Sequence, residues 1–223
     1  MNTQKNTKKL VVTAGLIALG TILSLLKLFE MPFGGTITVA SMVPILLVGY
    51  IYGIKWGLFS SLVYSLLQLV CGIATGIVSR MFLPGDEQMV LWQAISICIF
   101  DYILAYVALG FGGIFKEKLQ KPVLELVLGI IFSTFLCWLM HTISGYIFYG
   151  AWAEWFFSAE DGLSVIPAFK GFCKMVMNNF EGKSLALLYS GIYNGIYMLG
   201  ETIISVAIAP IVYIRLKKQN LAD

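Results

Sequence analysis

Residues 122–149, PVLELVLGIIFSTFLCWLMHTISGYIFY, decide how this chain has to be read. The run holds one acid, Glu125, within a turn of its start, and no lysine or arginine. Its opening proline suits the first helical position, where no backbone N–H is needed. At about 1.5 Å of rise per residue, such a helix is long enough to cross the roughly 30 Å hydrocarbon core of a bilayer. The rest of the chain is of the same kind: 223 residues, 59% apolar, only 12% charged, mean hydropathy +0.86. A soluble domain is nearer one half apolar and one quarter charged. The composition therefore sets aside a soluble enzyme. A net charge of +3, carried by scattered basic residues, also sets aside a nucleic-acid surface.

Working outward from that run, apolar segments recur at about 10–29, 40–53, 56–78, 89–115, 122–150 and 185–214. The expectation is an all-α integral membrane protein, one six-helix domain over 1–223, with a long outer loop at 151–184. The first segment follows Lys5, Lys8 and Lys9 like a signal peptide, but it exceeds the usual 7–15 residue apolar core and lacks a small-residue cleavage site. It reads as a retained helix. The second is short for a full span. Trp152, Trp155, Phe156 and Phe157, at the head of the long connection, suit an interfacial belt or a short surface helix.

With six spans, both termini share one side. The N-terminal tail, Lys55, the 116–121 loop and the 215–218 tail hold ten basic residues, against Arg80, Lys170, Lys174 and Lys183 opposite. The positive-inside rule then places both termini in the cytoplasm of a multi-pass cell-membrane protein.

Ionisable groups inside such helices are costly and need a reason. Asp101 lies about 18 Å into the fourth segment, with Tyr102 beside it. It is the strongest binding candidate, against the plainer reading of a protonated or lysine-paired acid. Glu201 is similar but weaker. His141 shares a helical face with Gly145, Phe148 and Tyr149, although a lone histidine there also serves as a hydrogen-bonded core residue. Tyr189, Tyr193 and Tyr197 form a stripe, and Asn194 lies about 140° around from Tyr189 on an ideal helix. Helix-packing glue is the rival explanation for that cluster. Asp101, His141, Tyr149, Tyr189 and Asn194 converge on the outer leaflet, and only Glu201 extends the line inward. One acid, several aromatic faces, an imidazole and an amide suit an organic cation with a hydrogen-bonding ring. Trp138 and Trp152 lie near that level in sequence. Cys71, Cys98, Cys137 and Cys173 include no C-x-x-C pair, and with a single histidine they predict neither a metal site nor a redox cofactor.

Ala14-Gly15-Leu16-Ile17-Ala18 and Gly72/Gly76 carry small residues four apart, which allow a second helix to approach closely. For Ala14 and Ala18 the rival reading is packing inside the bundle.

Gly34-Gly35-Thr36 leading to Ser41-Met42-Val43-Pro44-Ile45, then Asp101-Tyr102-Ile103-Leu104-Ala105, His141-Thr142-Ile143-Ser144-Gly145 and Tyr189-Ser190-Gly191-Ile192-Tyr193-Asn194-Gly195 occur in one order. In that order the chain resembles the thiamine-specific substrate-binding (S) subunit of energy-coupling-factor (ECF) vitamin transporters. The resemblance implies a six-helix protein that binds thiamine from outside and is not itself an enzyme. It implies Asp101, Tyr102, His141, Tyr149, Tyr189 and Asn194 as binding residues, with Tyr149 where relatives often carry tryptophan. It also implies docking through Ala14 and Ala18 on an ECF transmembrane subunit that works with two cytoplasmic ATPases. No P-loop sequence is present, so ATP use would fall to those partners. A sister subunit for another vitamin or a thiamine precursor stays open, as do an ion-coupled secondary transporter and an intramembrane enzyme.

Overall fold

The computed structural model describes residues 2–31, 35–85, 88–158, 162–219 and 221. Gly34 and parts of the 80–88 and 151–184 connections lie outside the described residues. Among the described residues, five helices are long and apolar enough to cross a membrane: α1 (Asn2–Ser24), α3 (Ile54–Ala74), α5 (Leu91–Gly113), α6 (Pro122–Phe148) and α9 (Gly182–Lys218). Between them stand a shorter apolar helix, α2 (Val43–Tyr52), and the short α4 (Ser79–Phe82), α7 (Ala153–Ser158) and α8 (Pro167–Asn179). Leu10, Val11, Phe59, Val70, Leu199, Ile203 and Ile211 are among many large apolar side chains facing outward. In water that surface would aggregate, whereas in a bilayer it meets its own kind.

The segment boundaries read from hydropathy shift in instructive ways. The 10–29 segment is not one helix: α1 starts earlier, at Asn2, and ends at Ser24. The continuing apolar residues turn into a β-strand, β1 (Lys27–Glu30), paired antiparallel with β2 (Thr36–Thr38), with Phe29 opposite Ile37 and Glu30 opposite Thr36. Hydropathy is blind to this change because a hairpin strand can be as apolar as a helix. The 40–53 segment shrinks to Val43–Tyr52, bounded by Ala40 (φ 61°) and Gly53 (φ 84°). The 56–78 segment becomes Ile54–Ala74, stopped by a turn with Gly76 at φ 86°. The 89–115 and 122–150 segments trim to Leu91–Gly113 and Pro122–Phe148. The 185–214 segment extends to Gly182–Lys218. There Glu181 and Ser184 close a reciprocal capping box at the start, and Pro210 is carried inside the helix.

Nor is 151–184 an open loop. Phe156 and Phe157 of α7 are buried, and Phe156 meets Tyr189 and Tyr193 of α9 at ring distances of 5.3 and 5.8 Å. These two aromatics cap the bundle instead of forming an interfacial belt.

Helix α2 is short because it is enclosed, with every residue from Val43 to Ile51 buried. Its neighbour α5 closes in through glycines: a Cβ on Gly49 would lie 2.6 Å from the Gly110 carbonyl oxygen, and one on Gly110 would lie 2.6 Å from the Leu58 backbone. Backbones in contact across three helices hold one end of the bundle shut. Helix α6 also packs extensively along α9, and those two helices carry much of the site.

The hairpin is laid along α9. Gly35 abuts the Tyr197 ring so closely that no Cβ would fit, a Cβ on Gly200 would lie 2.6 Å from Ile37 Cδ1, and Thr38 hydrogen-bonds Glu201.

Candidate functional site

One turn of α5 is wider than the rest. Cys98–Leu104 is π-helical, a local widening that often re-aims side chains at functional sites. Asp101 and Tyr102 sit in that turn, and although adjacent residues diverge by about 100° on an α-helix, both line the same cavity. The cavity has a volume of about 390 Å³, and Asp101, Tyr102, His141, Tyr149, Tyr189 and Asn194 all contribute to its wall. Ala14 and Ala18 do not. They are exposed on α1, whose buried face is Thr13, Leu16, Ile17 and Gly20. Packing inside the bundle is therefore not their role in this chain.

Asp101 is held by α6. The His141 Nδ1–H donates to Oδ1 at 2.9 Å, and the Ser144 hydroxyl donates to Oδ2 at 2.8 Å. No lysine or arginine pairs with Asp101 among the described residues. Each carboxylate oxygen keeps a second lone pair, so the group is oriented without being saturated. Ser144 lies three residues beyond His141, on the same helical face. Spacing alone could have flagged it as the second donor.

Gly145 is not an open gap in the pocket wall. The space beside it admits Ser190 of α9, and a Cβ there would also lie 3.1 Å from Asn194 Nδ2. The Ser190 hydroxyl donates to the Thr142 carbonyl at 2.8 Å, and Asn194 Nδ2 donates to the His141 and Ser190 carbonyls at 3.2 and 2.9 Å. Asn194 thus also stitches the α6–α9 seam. Its Oδ1 accepts from the Tyr197 hydroxyl at 2.7 Å and retains one lone pair. On either side of His141, Tyr106 and Tyr197 stand edge-on, with ring centroids 6.5 and 5.8 Å away.

Sequence reasoning passed over several cavity residues. Thr36 and Thr38 come from the hairpin, Gln68 from α3, and Arg80 and Met81 from α4. Met81 Sδ accepts from the Tyr149 hydroxyl at 3.8 Å. Trp152 lines the cavity, whereas Trp138 does not. The Trp138 indole N–H donates to the Gly191 carbonyl at 3.0 Å and belongs to the helix seam. Glu201, the weaker acid in the sequence, also lines the cavity and is almost fully buried.

Chemically, this is a half-polar chamber with a fixed acid, several aromatic faces and hydrogen-bonding groups, a set of groups able to meet a flat organic cation. Comparison with known proteins points the same way. The sequence profile of the family described as thiamine transporter protein (Thia_YuaJ) matches residues 10–159. That stretch includes Asp101, Tyr102, His141 and Tyr149 and stops short of Tyr189 and Asn194. The chain is 27% identical over 186 residues to the thiamine transporter ThiT of Bacillus subtilis (strain 168), covering 76% of this chain and 88% of that protein. The solved structure of ThiT from Listeria monocytogenes superposes with a TM-score of 0.63 at 20% identity, covering 96% of this chain and 97% of the other. At that identity the superposition speaks for the fold.

Proposed function

The chain belongs to the thiamine transporter family, and from that premise we propose that it is a substrate-binding subunit that captures thiamine at the outer face of the cell membrane. The observation that carries the reading is the convergence of α5, α6 and α9 on one cavity around a fixed, unsaturated carboxylate. Thiamine offers a permanent thiazolium charge and a flat aminopyrimidine. Asp101 meets the charge, Tyr102, Tyr149 and Tyr189 supply faces or edges to the rings, and His141 and Asn194 hold the geometry of the acid and of the seam. Arg80, Gln88 and Trp152 also line the cavity and come from the short segments between the long helices, the side assigned in this reading to entry of the vitamin.

The topology that goes with this reading has six passes. Helix α2 counts as the short, enclosed second pass, and both termini are cytoplasmic by the distribution of lysine and arginine. The chain binds and releases without chemical turnover and needs no cofactor. Energy comes from an ECF transmembrane subunit, which docks along α1, and from the two cytoplasmic ATPases that work with it.

The test is a titration of detergent-purified protein, followed by tryptophan fluorescence and native mass spectrometry, against thiamine, its phosphates, the aminopyrimidine precursor and riboflavin. Saturable one-to-one retention of thiamine without an ion gradient is expected, with a quench that is lost in Trp152→Phe and kept in Trp138→Phe. Preference for riboflavin or the precursor would reassign the substrate.

Tyr149 gives a finer check. Tyr149→Ala is expected to weaken thiamine binding by about 1–2 kcal/mol through lost ring contact, whereas Tyr149→Trp is tolerated. Equal losses in the two variants, read as dissociation constants, would remove this ring from the stack.

A further inference from the structure

Glu201 is 1% exposed and lies on the cavity wall. Its two oxygens have different fates. Oε1 accepts from the Thr38 backbone N–H at 2.5 Å and from the Thr38 hydroxyl at 2.7 Å, which fastens the hairpin to α9. Oε2 is buried and has no hydrogen-bond partner among the described residues. No lysine or arginine forms an ion pair with this acid among the described residues either. A buried carboxylate oxygen left without a donor is costly, and such groups in native proteins are nearly always satisfied. The neighbouring hydroxyls do not supply one: Thr38 Oγ1 is 2.7 Å from Ser41 Oγ, and Ser205, one turn further along α9, is itself buried without a hydrogen-bond partner among the described residues. Glu201 lines the cavity, and a donor placed there can complete it.

The two acids of the pocket thus differ in kind. Asp101 has a donor on each oxygen and offers mainly charge, whereas Glu201 has one whole oxygen open. On α9, Glu201 lies seven residues beyond Asn194, about 10 Å along the axis. A ligand held only at the level of Asp101 and Asn194 would leave the Glu201 end unmet. A molecule of two linked rings with donor arms reaches both.

We propose that Glu201 is a second ligand-contacting residue, its Oε2 accepting a hydrogen bond from an N–H or O–H arm of the bound cation while its Oε1 holds the hairpin. This rests on the thiamine reading above, in which the arms are the aminopyrimidine amine and the hydroxyethyl hydroxyl. It makes Glu201 a specificity determinant, because the same oxygen that completes the wall rejects a ligand unable to donate to it.

The experiment measures dissociation constants of the purified protein for three ligands: thiamine, the analogue whose exocyclic amine is replaced by oxygen, and the analogue whose side-chain hydroxyl is replaced by hydrogen. In the unaltered protein one analogue is expected to bind at least about tenfold more weakly than thiamine. In Glu201→Gln that preference collapses to within about threefold, as a shared contact requires in a double-mutant cycle. In Thr38→Val, which removes the hydroxyl bond to Oε1 and leaves Oε2 as it is, all three ligands weaken by a common factor and the preference stays.

An equal loss for all three ligands in Glu201→Gln would show that Glu201 acts only through the hairpin and would overturn the proposal. So would unaltered protein that binds both analogues within about twofold of thiamine, a result that does not depend on any variant folding. Failure of the unaltered protein to bind thiamine at all would instead sink the functional reading on which the proposal stands.

Discussion

Asp101→Asn is expected to weaken thiamine binding at least about tenfold, a loss of 1.4 kcal/mol or more, while the protein stays folded. The substitution keeps the size of the side chain and one carbonyl acceptor, so His141 or Ser144 can still donate to it. It removes the charge from a site in which no lysine or arginine is ion-paired with the acid among the described residues. Two unit charges about 4 Å apart in surroundings of intermediate dielectric interact by several kcal/mol, and solvation of the free pocket returns only part of that on mutation. The readouts are the dissociation constant and the thermal midpoint of the detergent-solubilised protein. A well-folded variant with unchanged affinity would mean that the cation is met elsewhere, with Glu201 the first place to look.

That such a prediction can be framed from sequence at all reflects how membranes penalise charge. Asp101 and His141 stand out because almost nothing around them is polar, and the apolar runs are legible for the same reason. What stayed hidden depends on contacts between distant parts of the chain. Leu28 and Phe29 extend an apolar run in the sequence, yet they belong to a strand in which Phe29 pairs with Ile37 and Glu30 with Thr36. The bond from Thr38 to Glu201 spans 163 residues and has no local signal. The widened turn that brings Tyr102 beside Asp101 depends on how α5 packs, which no residue pattern announces. Asn194 shows a subtler limit. Binding residue and packing glue look like alternatives in the sequence, whereas the side chain both lines the cavity and bonds across the α6–α9 seam.

The largest separation of effects is expected on α1. Ala14→Trp together with Ala18→Trp should leave the thiamine affinity of the isolated protein within about threefold, under 1 kcal/mol, while abolishing co-purification with the coupling subunit and vitamin-dependent growth. Both alanines are exposed, and a Cβ placed on Gly15 between them would meet nothing within 4 Å. The side of α1 that faces the bundle is elsewhere, tied down by the Trp56 indole N–H donating to the Thr13 hydroxyl at 2.9 Å. New indoles at 14 and 18 therefore point away from the cavity and the core. What they fill is the shallow groove left by two missing side chains, and a helix that approaches closely through small residues cannot do so past a tryptophan. Affinity is read by titration of the purified variant, and assembly by its recovery with an affinity-tagged coupling subunit from the same membranes. If the variant bound thiamine normally and still assembled, this face of α1 would be an ordinary lipid-facing surface and the docking surface would lie elsewhere. If folding and thiamine affinity fell together, the alanines would be structural after all, against the exposure that the fold gives them.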